Sequence, residues 1–301
     1  MSIVPEQVAP EEQVAPDQAA PAQPAVAGPP AEPSRYSLKH PRSRIGWIRP
    51  AVWLPLVAML AILAALWQWG AAKLPYLLPP LPSIGRSLSD DFGYYLKNAG
   101  ITLGEAAAGL AISFVAAFVL AVLVSEVPVV RRAVMPIAVV LNVTPVVAIA
   151  PALVVAFGFG ATPKLVITAL ICFFPILINT TTGLRSVPQQ VLQVYRTMDA
   201  SRLEMLAYVR VPNALPYLFA ALRIVSPLSV IGAVVAELSA SGSTGGLGTV
   251  ISTASSMNNL AVVYASIFVL ALMGVLVMLV ITLAERRALH WHESSSSDRT
   301  K

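Results

Sequence analysis

The sequence predicts an all-α membrane protein with about six transmembrane helices, and three observations predict it. Of 301 residues, 56% are hydrophobic and only 12% are charged, where an ordinary soluble domain carries about 25% charged residues. The mean hydropathy is +0.73, with recurrent apolar runs of the about 20 residues that cross roughly 30 Å of hydrocarbon at 1.5 Å per residue. Runs such as 114–124 are apolar on every face. A soluble amphipathic helix would show a polar face, and a barrel strand would alternate.

The elements follow in chain order. Residues 1–34 contain Glu6, Glu11, Glu12, Asp17 and Glu32, much Pro and Ala, and no Lys or Arg. Such a segment cannot bury enough apolar surface to offset its ordering entropy and is expected to be disordered. It lacks the apolar core of a signal peptide, and the repeated Glu-Gln-Val-Ala-Pro (6–10 and 12–16) is low complexity. A basic stretch follows, Arg35, Lys39, Arg42, Arg44 and Arg49. The organisation predicted is a tail over 1–45 with a basic end, a transmembrane domain over 46–292 and a flexible tail over 293–301. Spans are predicted at 52–72, 101–125, 135–157, 165–184, 217–238 and 260–284. Trp47, Trp53, Trp67, Trp69 and Trp291 lie near span ends, where amphipathic rings prefer the interface. Pro55, Pro145, Pro151, Pro175 and Pro227 fall within spans and predict kinks.

Positive charge sets the orientation. With the N-terminus inside, the inner segments hold fifteen of the 20 Lys and Arg: the five at 35–49, then Arg131, Arg132, Arg185, Arg196, Arg202, Arg210, Arg286, Arg287, Arg299 and Lys301. The outer loops hold Lys73, Arg86, Lys97 and Lys164, and Arg223 lies at the inner end of the fifth span. Both termini are therefore expected in the cytoplasm.

Several functions are excluded or weakened. The net charge of +5 is spread between apolar runs without a basic tract interleaved with aromatics, which argues against nucleic acid. There is no Gly-x4-Gly-Lys-Ser/Thr, so the chain cradles no ATP phosphates by itself. His40, His290 and His292 lie near the inner ends and cannot serve an intramembrane serine as base. His290 and His292 share no helix face for a metal, and no metal or other cofactor is expected on this chain. Cys172 has no partner for a disulfide or zinc site and reads as a small packing residue. Ionisable groups in apolar runs are Glu105, Arg223 and Glu237, each near a span end. They can mark function or sit at the headgroup level.

The loop at 185–216 is the most informative segment. Leu203, Leu206 and Val209 recur at helical spacing beside Met205, with Arg202, Glu204 and Arg210 as polar complement. The spacing predicts a short amphipathic helix over 199–210, ended by Pro212. Taken alone, such a helix could lie on the membrane surface.

This segment resembles the cytoplasmic coupling loop of ABC importer permeases of the nitrate/sulfonate/taurine-type branch. The branch typically has Leu-Gly-Ala-Ser-Arg, then about eight residues, then Leu-Pro and Ala-Leu-Pro. Ala200, Ser201, Arg202, Pro212, Ala214, Leu215 and Pro216 match it. Asp199 stands where the branch has Gly, and Gln193-Val194-Tyr195 where Glu-Ala-Ala is common. Asp is tolerated at positive φ. Leu78-Pro79-Pro80-Leu81-Pro82-Ser83, the segment 144–151 with Phe157-Gly158-Phe159-Gly160, the segment 173–180, and Gly245-Gly246-Leu247-Gly248 also resemble family segments, in order.

The resemblance implies a transporter subunit rather than an enzyme, one of two permeases that form the pathway, as a homodimer. Separate cytoplasmic ATPase subunits would bind ATP and Mg, and a periplasmic or lipid-anchored binding protein would deliver the solute. Alternating access would be driven through Asp199, Ala200, Ser201, Arg202, Leu203, Leu206, Val209, Arg210 and Pro212. Polar residues that could face the pathway are Asn142, Thr144, Asn179, Thr180, Ser226 and Ser229, although each could instead bond across helices or to its own helix. The solutes implied are a sulfonate, taurine or nitrate, or a pyrimidine or riboflavin precursor. An ion-coupled secondary transporter and a non-transporting scaffold are the competing classes.

Overall fold

The computed structural model describes residues 50–240 and 245–289. The chain divides into Met1–Leu54 and Pro55–Lys301. Of the first unit only the residues from 50 onward are described. The tails at 1–45 and 293–301, the basic stretch, Trp47, Trp291 and the three histidines therefore lie outside the described residues.

The described residues form helices and no strand. In chain order these are α1 Pro50–Lys73, α2 Leu81–Asp90, α3 Phe92–Glu126, α4 Pro128–Val143, α5 Val146–Phe157 and α6 Ala161–Arg185. Then come α7 Gln189–Thr197, α8 Arg202–Met205, a π-helical turn Leu206–Arg210, α9 Val211–Ser239, α10 Leu247–Ser256 and α11 Leu260–Ala288. Five are long and apolar enough to cross a membrane: α1, α3, α6, the continuous helix from α8 through α9, and α11.

The sixth expected span, 135–157, is not one straight helix. It is the pair α4 and α5, bent by 98°. Pro145 has no N–H to donate, and the residue before a proline is driven out of the helical region. Thr144 accordingly sits at φ −72°, ψ 130°. With 16 and 12 residues, α4 and α5 rise only about 24 and 18 Å. Neither crosses the hydrocarbon alone.

α6 is the centre of the bundle, between α3 and α9. Without a hydrophobic drive between helices in lipid, small residues that let backbones approach supply the packing. A Cβ on Gly109 of α3 would lie 2.6 Å from Thr168 of α6, and one on Gly183 of α6 would lie 2.8 Å from Tyr217 Cβ of α9. The core between them is Ala117, Ala121, Cys172, Leu177, Leu184 and Val225. Cys172 is fully buried, with its Sγ facing Val225 O at 3.7 Å, as a packing residue should be. α1 and α11 are the least covered, with 6% of their most apolar windows buried against 50% for α8–α9. Bilayer or another subunit is what such helices require around them.

The Pro-rich link resolves into α2. Its Ile84 and Leu88 pack on a second cluster containing Tyr95 and Met273, and Ser87 Oγ lies 2.7 Å from Tyr95 Oη.

Candidate functional site

Local chemistry shapes the segment between α6 and α9. α7 ends where Asp199 takes φ 58°. Asp199 N–H donates to Arg196 O at 3.2 Å and Ala200 N–H to Tyr195 O at 3.1 Å. These two bonds are a Schellman motif, which needs a left-handed residue and usually has glycine. The place where the sequence departs from the glycine of its resembled branch is therefore a true αL position, occupied by a residue that tolerates it.

Ser201 then starts α8 with a capping box. Glu204 N–H donates to Ser201 Oγ at 3.2 Å, and Ser201 N–H to Glu204 Oε2 at 2.8 Å. Two orphan donors are satisfied within four residues. The helix does not end at Pro212 as expected. It runs through the π turn into α9, with Pro212 just past that turn, where its missing N–H forfeits one helical bond.

The expected apolar face is split. Leu203 is 77% exposed, as is Tyr208, and Met198 is 72% exposed. Met205 is buried, Leu206 packs against the core between α6 and α9, and Val209 is half-buried. The outward apolar surface is thus Met198, Leu203 and Tyr208. Arg202 is exposed. Arg210 is ion-paired with Glu126 at the end of α3, which fixes the segment to the bundle. Asn213 Nδ2 donates to Ser186 Oγ at 2.6 Å, tying the start of α9 to the end of α6.

The six pathway candidates do not share one surface. Asn142 is exposed and Thr144 half-buried at the α4–α5 break, with Thr144 Oγ1 donating to Val140 O at 2.9 Å. Asn179 Nδ2 donates to Pro175 O at 2.8 Å. Ser226 and Ser229 are buried in α9 and donate to carbonyls three residues back. Thr180 is fully buried.

At the opposite end of α3, α6 and α9 lies a buried polar cluster. Lys164, 2% exposed, reaches Glu105 Oε1 at 2.7 Å and Gly245 O at 3.4 Å. Glu237 is fully buried; it accepts from Thr102 Oγ1 at 2.8 Å and from Gly248 N–H. Thr102 Oγ1 accepts from Leu247 N–H at 2.8 Å, and Asn98 Oδ1 from Gly246 N–H at 3.0 Å. Gly246 stands at φ 110°, and a Cβ on Gly248 would lie 2.7 Å from Glu237 Oε2. Arg223, the third ionisable group marked in the sequence, pairs with Glu285 of α11. Glu105 and Glu237 were visible as charges in apolar runs. Asn98 and Thr102 were not, because no spacing in the sequence pairs them, and Lys164, expected in an outer loop, is instead buried in α6. No group of three His, Cys, Asp or Glu able to hold a metal occurs among the described residues.

Comparison with known proteins adds the following. Residues 109–290 match the family of binding-protein-dependent transport system inner membrane components. The chain is 34% identical over 235 residues to the formylaminopyrimidine transport permease protein of Halalkalibacterium halodurans, covering 77% of this chain and 93% of that protein. It is 33% identical over 258 residues to the riboflavin transport system permease protein of Chloroflexus aurantiacus, covering 83% and 93%. The taurine transport system permease protein of Escherichia coli matches at 33% over 55% of this chain and 59% of its own length. Among solved structures, the inward-facing methionine ABC transporter MetNI superposes with a TM-score of 0.58 at 18% identity, over 65% of this chain and 97% of that one. That likeness is one of fold.

Proposed function

The chain belongs to the family of binding-protein-dependent transport system inner membrane components, and from that premise we propose that it forms half of the pathway of an ATP-driven importer, moved by ATPase subunits docked on α7–α8. The observation that carries this reading is the outward apolar set Met198, Leu203 and Tyr208 on a doubly capped segment continuous with α9, which packs on the central helix α6. A short helix that fills a partner's groove draws its affinity from such anchors. The chain has no phosphate-binding loop, so ATP energy must enter by contact. A push on α8 would pass directly into α9. Asp199, Ala200 and Ser201 shape the turn, Leu206, Val209 and Arg210 seat it, and Arg202 lies at its rim.

The broken pair α4–α5 supports a pathway that needs a second copy. Irregular backbone at membrane depth is tolerated only where protein or water satisfies it. Asn142 and Thr144 lie at that break, and a facing copy would enclose it. Charge asymmetry supports a cytoplasmic α7–α8, and a solute-binding protein would then meet the α10 end. The relatives matched over 93% of their length are named for formylaminopyrimidine and riboflavin, which favours a heterocyclic vitamin precursor over taurine.

Vesicles holding the chain, an ATPase subunit and a binding protein should take up solute with ATP and no ion gradient. Uptake that needs a gradient and ignores ATP would make the chain a secondary transporter. Orientation is read separately: in a chain with Cys172 replaced, an impermeant thiol reagent on intact cells should label a cysteine at position 83 and spare one at 186. The opposite pattern would invert the topology.

A further inference from the structure

A helix leaves its first backbone N–H groups without intrahelical acceptors. At the start of α10 no local side chain caps them. Instead three successive amides are held by three side chains from elsewhere: Gly246 N–H by Asn98, Leu247 N–H by Thr102 and Gly248 N–H by Glu237. Asn98 and Thr102 come from α3 and Glu237 from α9, while Lys164 of α6 reaches Gly245 O. Leu247 and Gly248 are buried, so water cannot replace a lost acceptor there.

The Thr102 hydroxyl joins the set into one unit. It accepts from Leu247 N–H and donates to Glu237 Oε1 at 2.8 Å. Glu237 thus receives a hydroxyl on one oxygen and an amide on the other. Glutamine offers one acceptor oxygen where the carboxylate offers two, and valine at 102 removes both the acceptor of Leu247 N–H and the hydroxyl donor to Glu237 Oε1.

We propose that Asn98, Thr102 and Glu237 are positioning residues of a latch that holds α10 to α3 and α9, so that these outer helix ends move as one body during solute passage. The latch is a property of the chain; its part in transport rests on the importer reading above.

Hydrogen exchange of the full chain in lipid tests the latch without any partner. Thr102→Val and Glu237→Gln should each speed exchange of the 245–250 peptide by about tenfold or more, the scale of one buried hydrogen bond lost. Thr102→Ser should keep wild-type protection. The double variant should exchange no faster than the faster single one, because both break the same unit. Unchanged exchange in α6 and α9 reports an intact fold. Slow exchange retained in both Thr102→Val and Glu237→Gln, or an equal loss across α6 and α9, overturns the latch. In the assembled transporter the two loosened variants should lose uptake about tenfold while the ATPase still co-purifies. Full uptake with a fast-exchanging turn would overturn its role in passage.

Discussion

At the end of the bundle that carries α7 and α8, the turn is set by residues close in sequence: Ser201 and Glu204 cap each other three positions apart, and Asp199 and Ala200 close α7 with bonds three and five residues back. At the end that carries α10, Lys164 and Glu105 are 59 positions apart, Thr102 and Glu237 135, and Asn98 and Gly246 148. The first end presents apolar side chains outward. The second keeps charged and polar groups buried and bonded. A surface that must meet a changing partner can be shaped by its own local chemistry. A joint between helices in lipid needs polar groups that satisfy one another, because little else holds helices together there.

Lys164→Ala should have the largest effect, because it leaves the half-buried Glu105 carboxylate without its cation. Such a loss costs about 3–5 kcal/mol and should appear as a large drop in the thermal midpoint of the chain in detergent micelles. A midpoint within a degree of wild type would mean that water reaches the site. At the local end, Asp199→Ile should cost about 1–2 kcal/mol, the strain of a branched residue at positive φ. Asp199→Gly should change stability by under about 0.5 kcal/mol, since relieved strain is offset by glycine's freedom in the unfolded chain. Equal stabilities for all three residues would show that the turn is not held at φ 58°. Arg223→Ala should also do little, under about 1 kcal/mol, because its side chain is 49% exposed in the pair with Glu285. A loss as large as that of Lys164→Ala would erase the contrast between exposed and buried pairs.

The same contrast explains what the sequence made legible. Apolar runs announced the spans, and the short helix after Asp199 could be read because its turn and its apolar spacing lie within about 15 residues. The right-angle break of α4–α5 was legible only as a kink, since a proline marks where a helix fails but not how far it turns. The inward placement of Leu206 escaped the helical-spacing argument because the π turn shifts the face that period 3.6 assigns. Asn98 and Thr102 stayed silent, and Lys164 read only as a loop charge, because their partners lie across the bundle. α2 and α10 are amphipathic or small-residue helices too short to stand out from the loops that hold them.

The claim that α7–α8 couples this chain to a separate ATPase is tested most directly by Leu203→Asp. Leu203 is exposed and touches no core residue cluster, so the substitution spares the fold while placing a charge in the middle of the proposed anchor. The quantity to measure is the amount of ATPase subunit retained on the purified chain. The account predicts that Leu203→Asp reduces retention and ATP-driven uptake together by about tenfold or more, as burying an unpaired charge in an interface should. Wild-type retention with wild-type uptake would contradict it and return α8 to a helix resting on the membrane surface.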